Sequence, residues 1–479
     1  MSAIHQVLLA GGGATYQIAN SLRFRAANSA YLTRTPAVAG NRKTATLSVW
    51  VKRGGLSAAM DALGIGAGNT EAIRFNAGNT LMVRVGNLDS TTNALFRDPS
   101  AWGHLLVARD TTQATSTDRL KVWWNNVALT FSSYSVPAQN SDTDLCNTVV
   151  HDIGRAGGGG NYFDGHLANF YLIDGQALTP SSFGQTDATT GVWVPKAYSG
   201  TFGTTGFFLE FKDAASTTTI GYDTSGNSNN FTTSGISVTS GVTFDQMTDT
   251  PTKNYCVLNP LAPSAANISW ANLRSGTTAV RGSVNALLAN SYWEVTAGGS
   301  AVTAGTISDA AVTNTTTVTA NKVFGFRLTS AGTLDYINIT DAGAWTNITS
   351  GLSGQQFPYG ITAAADWNFG QRAFVGTVPS SYYALSTASP ISAAVTLSGS
   401  FTGNAAADGP FVWTNGNPAT LTINGNAVTF GTHADKTAGG FKLRTSSASY
   451  NASGSNSWTA TAGKRFVQLQ KPNNAQVNP

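Results

Sequence analysis

Only three glutamates, Glu71, Glu210 and Glu294, occur among 479 residues, and this scarcity limits the available folds more than any motif does. Exposed helix faces are filled with Glu, Lys, Gln and Arg, whose straight side chains lose little freedom there. A chain with 11% charged residues has little material for such faces, so neither an all-helical fold nor a coiled coil is expected. Its surface must be wetted mainly by hydroxyls, amides and backbone. With 41% hydrophobic residues, including 11 Trp, 14 Tyr and 23 Phe, it is also too apolar to stay disordered. The composition predicts a folded chain built mostly of strands.

Strand patterns follow one another closely, each a short alternating or β-branched run closed by Gly, Asn or Asp. Thr44–Val51, Leu81–Val85, His104–Ala108 and Leu120–Trp124 are examples. In the last, period-two geometry sends Leu120, Val122 and Trp124 to one face and Lys121 with Trp123 to the other. Gly157–Gly160 lies between two such runs, without the strand-to-helix phosphate-loop pattern, and reads as a flexible loop tip. Near the C-terminus, Thr420–Ile423 and Ala427–Phe430 flank Asn424-Gly425-Asn426, a hairpin signal that puts Leu421, Ile423, Val428 and Phe430 on one face. At roughly 150 residues per domain the length suggests about three domains. The texture divides them as an arm at 1–20, a first domain at 21–235, a linker rich in Pro, Gly, Ser and Asn at 236–270, a second domain at 271–388, and a small β-domain with a polar tail at 395–479.

No run of about 18 apolar residues is present, so no membrane insertion is expected. The apolar stretch Gln6–Ala14 is short for a signal peptide and no Lys or Arg precedes it, which predicts a protein made and kept without export through a membrane. Cys146 and Cys256 show no CxxC spacing and read as two buried small hydrophobes. The net charge of +4 is unevenly spread. Residues 1–60 hold Arg23, Arg25, Arg34, Arg42, Lys43, Lys52 and Arg53 with no acid, a charge of +7 against −3 for the rest. Such an end suits an anionic partner, with Arg23, Arg25, Arg42 and Lys43 as candidate docking residues. The alternative is that these are solvated charges guarding strand edges.

Two stretches resemble known sandwich families. Ser21–Phe24, Tyr31-Leu32, Thr46–Val51, Leu120–Asn126, Ile153-Gly154 and Tyr162–Gly175 resemble laminin G-like, concanavalin A-type domains, over roughly residues 20–235. Gln176–Gly184, Gly191–Pro195 and Asp223–Asn227 are similar to a version of that domain found in structural proteins of tailed bacteriophages. Tyr292–Val295, Phe324–Leu328, Gly332–Tyr336, Phe357–Gly360 and Trp367–Phe374 are similar to the SPRY domain, with a Thr/Ala-rich run, Ala301–Thr319, replacing the usual glycine-rich signature. The resemblances imply an all-β protein of two concanavalin-like antiparallel β-sandwiches of jelly-roll type plus a small C-terminal β-domain. They also imply a virion appendage, a tail fibre or receptor-binding protein adhering to a bacterial surface glycan, assembled in the host cytoplasm. By the same analogy it would form a homotrimer and contact other virion proteins near the tail or portal. A capsid decoration protein is the alternative, and a polysaccharide-degrading enzyme a more distant one.

Residue chemistry favours a binding protein over an enzyme. A glycosidase on such a sandwich needs two carboxylates about 5 to 10 Å apart. None of the glutamates has a second carboxylate two residues away, which leaves Glu210, Asp213 and Glu294 as the groups to examine. There is no G-x-S-x-G elbow, and the five histidines lack zinc spacing. Asp223, Ser225 and Asn227 alternate oxygen ligands around Gly226, as in hard-cation loops, although a plain turn uses the same residues. No cofactor beyond a structural calcium there is expected, and nothing points to sequence-specific nucleic acid binding. For glycan contact, Tyr162 beside the glycine loop and Trp345 in Asp341–Asn347 are the loop-borne aromatics.

Overall fold

Two ten-residue strands, Thr44–Arg53 and Gly165–Asp174, pair antiparallel and are buried on both faces. Leu47, Val49 and Val51 of one strand and Leu167, Phe170 and Leu172 of the other enter a single core. Trp50, Ala168, Tyr171 and Ile173 turn the opposite way, beneath a second layer that includes Phe183, Trp193, Tyr198 and Phe202. Strands covered on both sides are mostly apolar, and buried Thr46 and Ser48 are paired, Thr46 Oγ1 donating to the Gln176 carbonyl and Ser48 Oγ meeting His104 Nε2. The computed structural model describes residues 16–188, 191–261 and 267–387, and beyond these the backbone of seven strands between 396 and 470.

The first sheet runs in the order Val127–Ala128, Leu120–Trp124, Gly103–Asp110, Thr44–Arg53, Gly165–Asp174, Ser21–Phe24 and Gln246–Met247, with Phe207–Leu209 beside Gly165–Asp174. The facing sheet runs Phe131–Ser133, Leu88–Leu95, Thr80–Val85, Glu71–Phe75, Met60–Ile65, His151–Ile153, Tyr31–Arg34 and Thr232–Ser234. Leu120 and Val122 join the core between the sheets with Trp124 against it, whereas Trp123 packs in the outer layer, as period two requires. The glycines at 157–160 form a tight turn. A Cβ at Gly64 would strike the Gly157 amide, and Asn69 Oδ1 accepts from that amide at 2.8 Å.

The second sandwich packs Trp293, Trp367 and Phe326 between two sheets. One runs Arg274–Ser275, Ala365–Asn368, Ser291–Ala297, Val323–Leu328, Leu334–Asn338 and Thr346–Thr349. Tyr383–Ala384 adds to Ser291–Ala297 in parallel. The other runs Val280–Arg281, Gln356–Ile361, Val302–Ser308 and Thr313–Val318. The protein is thus all-β, as its composition and patterning predict, and built of antiparallel sandwiches, as the resemblances imply.

Residues 236–270 do not behave as a linker. Gln246–Met247 pairs with Ser21–Phe24, and Asp245, Asp249, Tyr255, Cys256 and Val257 are buried. Ion pairs tie the stretch to the first sandwich, Asp245 with Arg23 and Arg25 and Asp249 with Lys52. Both sandwiches belong to one compact unit, residues 12–389, and the C-terminal stretch to a second. In that second unit Thr420–Ile423 and Asn426–Thr429 form the hairpin read from sequence, with Leu421 opposite Val428. The expected residue Phe430, the turn at 424–425 and the tail from Lys471 lie outside the described residues, as does most of the arm at 1–20.

Candidate functional site

Strand register aligns Tyr292 with Arg327, Arg327 with Asp335, and Asp335 with Asn347 across four strands of the second sandwich. Leu328 and Leu334, their neighbours in sequence, point into the core, so this row lies on the outer face. The Thr329–Thr333 turn sets the register, since its backbone bond from Thr329 N–H to Thr333 O folds Arg327 back onto Asp335. Arg327 Nε donates to Asp335 Oδ2 at 2.9 Å, and Asn347 Nδ2 donates to Asp335 Oδ1 at 2.9 Å. The Arg327 guanidinium lies 4.2 Å from the centre of the Trp345 ring and 5.6 Å from that of Tyr382. Cation–π contact of this kind adds about 0.5–2 kcal/mol to the hold on the guanidinium.

Beneath these groups Tyr292 meets Trp345 edge-on at 6.4 Å and Phe374 at 4.8 Å. The Tyr292 hydroxyl donates to Glu294 Oε1 at 2.9 Å, and the Val375 and Gly376 amides donate to the same carboxylate. Burial raises both the Glu294 carboxyl and the Tyr292 phenol above their ordinary values. Glu294 therefore anchors the 374–376 segment across the sheet face, with both oxygens engaged. Trp345 and Tyr382 remain half-buried, and Tyr383 is exposed. Trp345 is loop-borne as the sequence predicts. Arg327, Asp335 and Tyr382 escape sequence reading, although Arg327 and Asp335 alternate with core Leu and Phe around a short turn, which is the pattern of an outer-face cross-strand pair.

Tyr162 sits in a comparable patch on the first sandwich. Its ring lies 6.4 Å from Tyr31, and the Arg155 guanidinium stands 3.5 Å over Tyr31. Arg155 Nε donates to Asp152 Oδ2 at 2.9 Å. Burial alone would lower the Arg155 pKa, but the Asp152 hydrogen bond and charge hold it above the ordinary value. Asp152 is fully buried, and its Oδ1 has no hydrogen-bond partner among the described residues. The contacts of Tyr162 and of Trp345 stay within their own sandwiches.

The structure corrects the docking residues. Arg23 Nε donates to Asp245 Oδ1 at 2.9 Å and Arg25 Nη2 to Asp245 Oδ2 at 2.7 Å, with all three side chains buried. Burial lowers the Arg23 pKa, opposed by the Asp245 charge. These two arginines neutralise an internal carboxylate and offer no surface charge. Arg42, within 4 Å of Asp142 and Asp144, and Lys43 stay partly exposed.

Asp223, Ser225 and Asn227 do come together, but the Asp223 oxygens and Ser225 Oγ are occupied. Asp223 Oδ1 accepts from the Phe208 and Ser225 amides, and Oδ2 from Ser225 Oγ and the Asn229 amide. Asn227 turns its Nδ2 to the Gly203 and Gly206 carbonyls. A carboxylate with four donors has no lone pair to spare, so the donor set fits a turn and not a calcium ion. Of the carboxylates examined for hydrolysis, Glu210 pairs with Lys212 on the surface and Asp213 Oδ1 accepts from the Ala215 amide. Among the described residues neither shares a contact with Glu294. Burial raises the thiols of Cys146 and Cys256, to about 12 and about 11, which leaves them inert packing groups as read from sequence.

No family model matches the chain, and no curated protein matches it by sequence. Among solved structures it is similar to a Bacteroides ovatus protein assigned to carbohydrate binding, at 13% identity and TM-score 0.34, covering 46% of this chain and 58% of that one. It is also similar to a heptameric SAP-like pentraxin of Limulus polyphemus, at 13% identity and TM-score 0.27, over 34% of this chain and 80% of the other. Domains LG4-5 of the mouse laminin α1 chain align at 10% identity and TM-score 0.26, over 79% of this chain and 90% of that one. The alignment thus spans a little over half of the Bacteroides protein. Likenesses of this order do not identify a ligand, and the sandwich assignment stands on strand order and register.

Proposed function

We propose that the protein is a non-enzymatic exterior adhesin of a tailed bacteriophage virion, a tail fibre or similar receptor-binding appendage, which holds a bacterial surface glycan at the Trp345 surface. The observation that carries the binding reading is the fixed Arg327 guanidinium flanked by Trp345 and Tyr382, with Asp335 and Asn347 behind it. A sugar presents an apolar C–H face ringed by hydroxyls. It is met by a half-exposed aromatic beside rigid polar groups, and the rigidity limits the entropy lost on binding.

The virion placement rests on the resemblance of Gln176–Gly184, Gly191–Pro195 and Asp223–Asn227 to phage structural proteins and of the second sandwich to SPRY domains. Trimeric assembly and docking to acidic virion partners through Arg42 and Lys43 belong to the same proposal. The test is binding of the purified chain to isolated bacterial surface polysaccharide by calorimetry. Trp345→Ala should weaken binding about ten-fold or more with its thermal midpoint retained. Unchanged affinity would sink the site, and release of reducing ends during incubation would sink the non-enzymatic reading. Labelled particles should show the chain at the tail; signal across the head faces would make it a decoration protein instead.

A further inference from the structure

We infer that the glycan held at Trp345 carries a carboxylate, and that Arg327 is the residue that binds it. This inference rests on the glycan-binding reading above. An arginine has five N–H donors in a planar fork, and the way this one is held determines which remain for a ligand. Nε is committed to Asp335 at 2.9 Å, while Nη1 and Nη2 have no hydrogen-bond partner among the described residues. The side chain is 25% exposed, so those two nitrogens form the accessible edge. The Asp335 bond and the Trp345 ring 4.2 Å away, with Tyr382 at 5.6 Å, hold that edge in place in advance. A planar, pre-oriented pair of N–H donors matches the two oxygens of a carboxylate in a bidentate bond.

The surrounding groups complete the selection. Asp335 has one oxygen on Arg327 and the other on Asn347, and with its side chain only 11% exposed its remaining lone pairs are largely out of reach of sugar hydroxyls. Its charge fixes the arginine without presenting a free anion to the ligand. Glu294, a second carboxylate of this face, lies beneath Tyr292 with its oxygens on the Tyr292 hydroxyl and the Val375 and Gly376 amides. Asn347 uses its Nδ2 on Asp335 and the Thr349 carbonyl, which leaves Oδ1 on the exposed side to accept from a hydroxyl. The site thus offers an aromatic surface for a pyranose ring, a fork for its carboxylate and one amide oxygen for a neighbouring hydroxyl. Two kinds of sugar supply that chemistry, uronic acids and nonulosonic acids.

The test is an array of neutral, uronate-bearing and nonulosonate-bearing bacterial glycans, each acidic glycan printed also in carboxyl-reduced form and probed with the full chain. Binding to acidic spots with about ten-fold or greater loss on carboxyl reduction is expected, and the class of the bound spots identifies the source. Arg327→Gln should lose the acidic preference, and Arg327→Lys, which keeps the charge without the fork, should recover only part of it. Thermal midpoints of both variants show whether the face remains folded. Equal binding of acidic and reduced forms, or binding confined to neutral glycans, overturns the carboxylate inference while leaving the glycan reading intact. Full binding by Trp345→Ala, or no bound spot at all, overturns both.

Discussion

Lys52 and Asp249 meet at 2.7 Å with each side chain 1% exposed, and this pair joins the first sandwich to the stretch that leads into the second. The ammonium also donates to Asn254 Oδ1 at 2.6 Å and to the Tyr255 carbonyl at 2.9 Å, so its three protons are all used. Asp249 Oδ1 accepts from Trp102 Nε1 at 2.8 Å. Breaking a buried pair from one side leaves an uncompensated charge, at a cost of about 3–5 kcal/mol. Lys52→Met and Asp249→Asn should each lose about that much in urea unfolding, and the double variant less than the two losses combined. Strictly additive losses would show that the two groups do not interact.

The buried histidines should resist protonation. His104 is held near 3 and His151 near 4 by burial, and His166 well below its ordinary value for the same reason. Their partners set opposite tautomers. His104 Nδ1 accepts from Trp193 Nε1 at 3.1 Å, leaving Nε2–H for Ser48 Oγ, whereas His151 Nε2 accepts from the Cys146 amide and Nδ1–H faces the Val149 carbonyl. Nitrogen shifts of ¹⁵N-histidine protein should show both tautomers unchanged from pH 8 to pH 5.5. Titration of either ring in that range with the fold intact would contradict the assignment.

Gly64→Ala tests the seating of the glycine turn. The added Cβ meets backbone atoms of residues 155–157, which no rotamer change can relieve. A loss of roughly 2–4 kcal/mol in denaturant unfolding is expected. Gly159→Ala, where a Cβ meets nothing but φ is +117°, should lose less. The reverse ranking would mean that the turn is not pressed against this sheet.

The 223–229 turn should be indifferent to calcium. Adding millimolar calcium or a chelator is expected to leave the thermal midpoint unchanged, because the Asp223 oxygens already hold four donors. Asp223→Ala removes them together and should lose about 2–3 kcal/mol. A calcium-dependent rise in the midpoint that Asp223→Ala abolishes would restore the metal site.

Local patterns in the sequence are informative here, and long-range pairings are not. Alternation suffices to place Leu120, Val122 and Trp124 on the core side, and the Asn-Gly turn to pair Leu421 with Val428, because both depend on neighbours a few residues away. Tyr162 and Trp345 are readable as loop aromatics, and the three-residue spacing of Asp152 and Arg155 could have been read with them. The destination of Arg23 could not, since its carboxylate lies 222 residues later in a stretch with the composition of a linker. Two of the seven basic charges of the first 60 residues are cancelled by Asp245 and Asp249 in that same stretch, and a third basic residue, Arg23 or Arg25, shares Asp245 with the other. A sum along the chain cannot show this. Glu71 and Glu294 are similarly silent in sequence, and each proves to bind loop amides, at 144–145 and at 375–376.

Asp164 gives the junction of the sandwiches a measurable pH response. Its Oδ1 accepts from the Ala271 amide at 2.7 Å, within a turn where Trp270, Ala271 and Asn272 all have φ near +60°. Three left-handed residues in succession are costly, and the carboxyl of the other sandwich helps hold them. Burial raises the Asp164 carboxyl to about 6 from 3.8. A group whose folded pKa is raised contributes stability that is complete below the unfolded value and is lost as pH rises through the folded one. Asp164 therefore favours folding below about pH 4 and loses that contribution, about 3 kcal/mol, by pH 7. Asp164→Asn keeps an oxygen for the Ala271 amide without the ionisation. Relative to the parent, it should be more stable at pH 7.5 and lose this advantage progressively as the pH falls from 6 to 4, as measured by urea unfolding. A stability difference that stays flat across that range would show that Asp164 does not titrate at the junction.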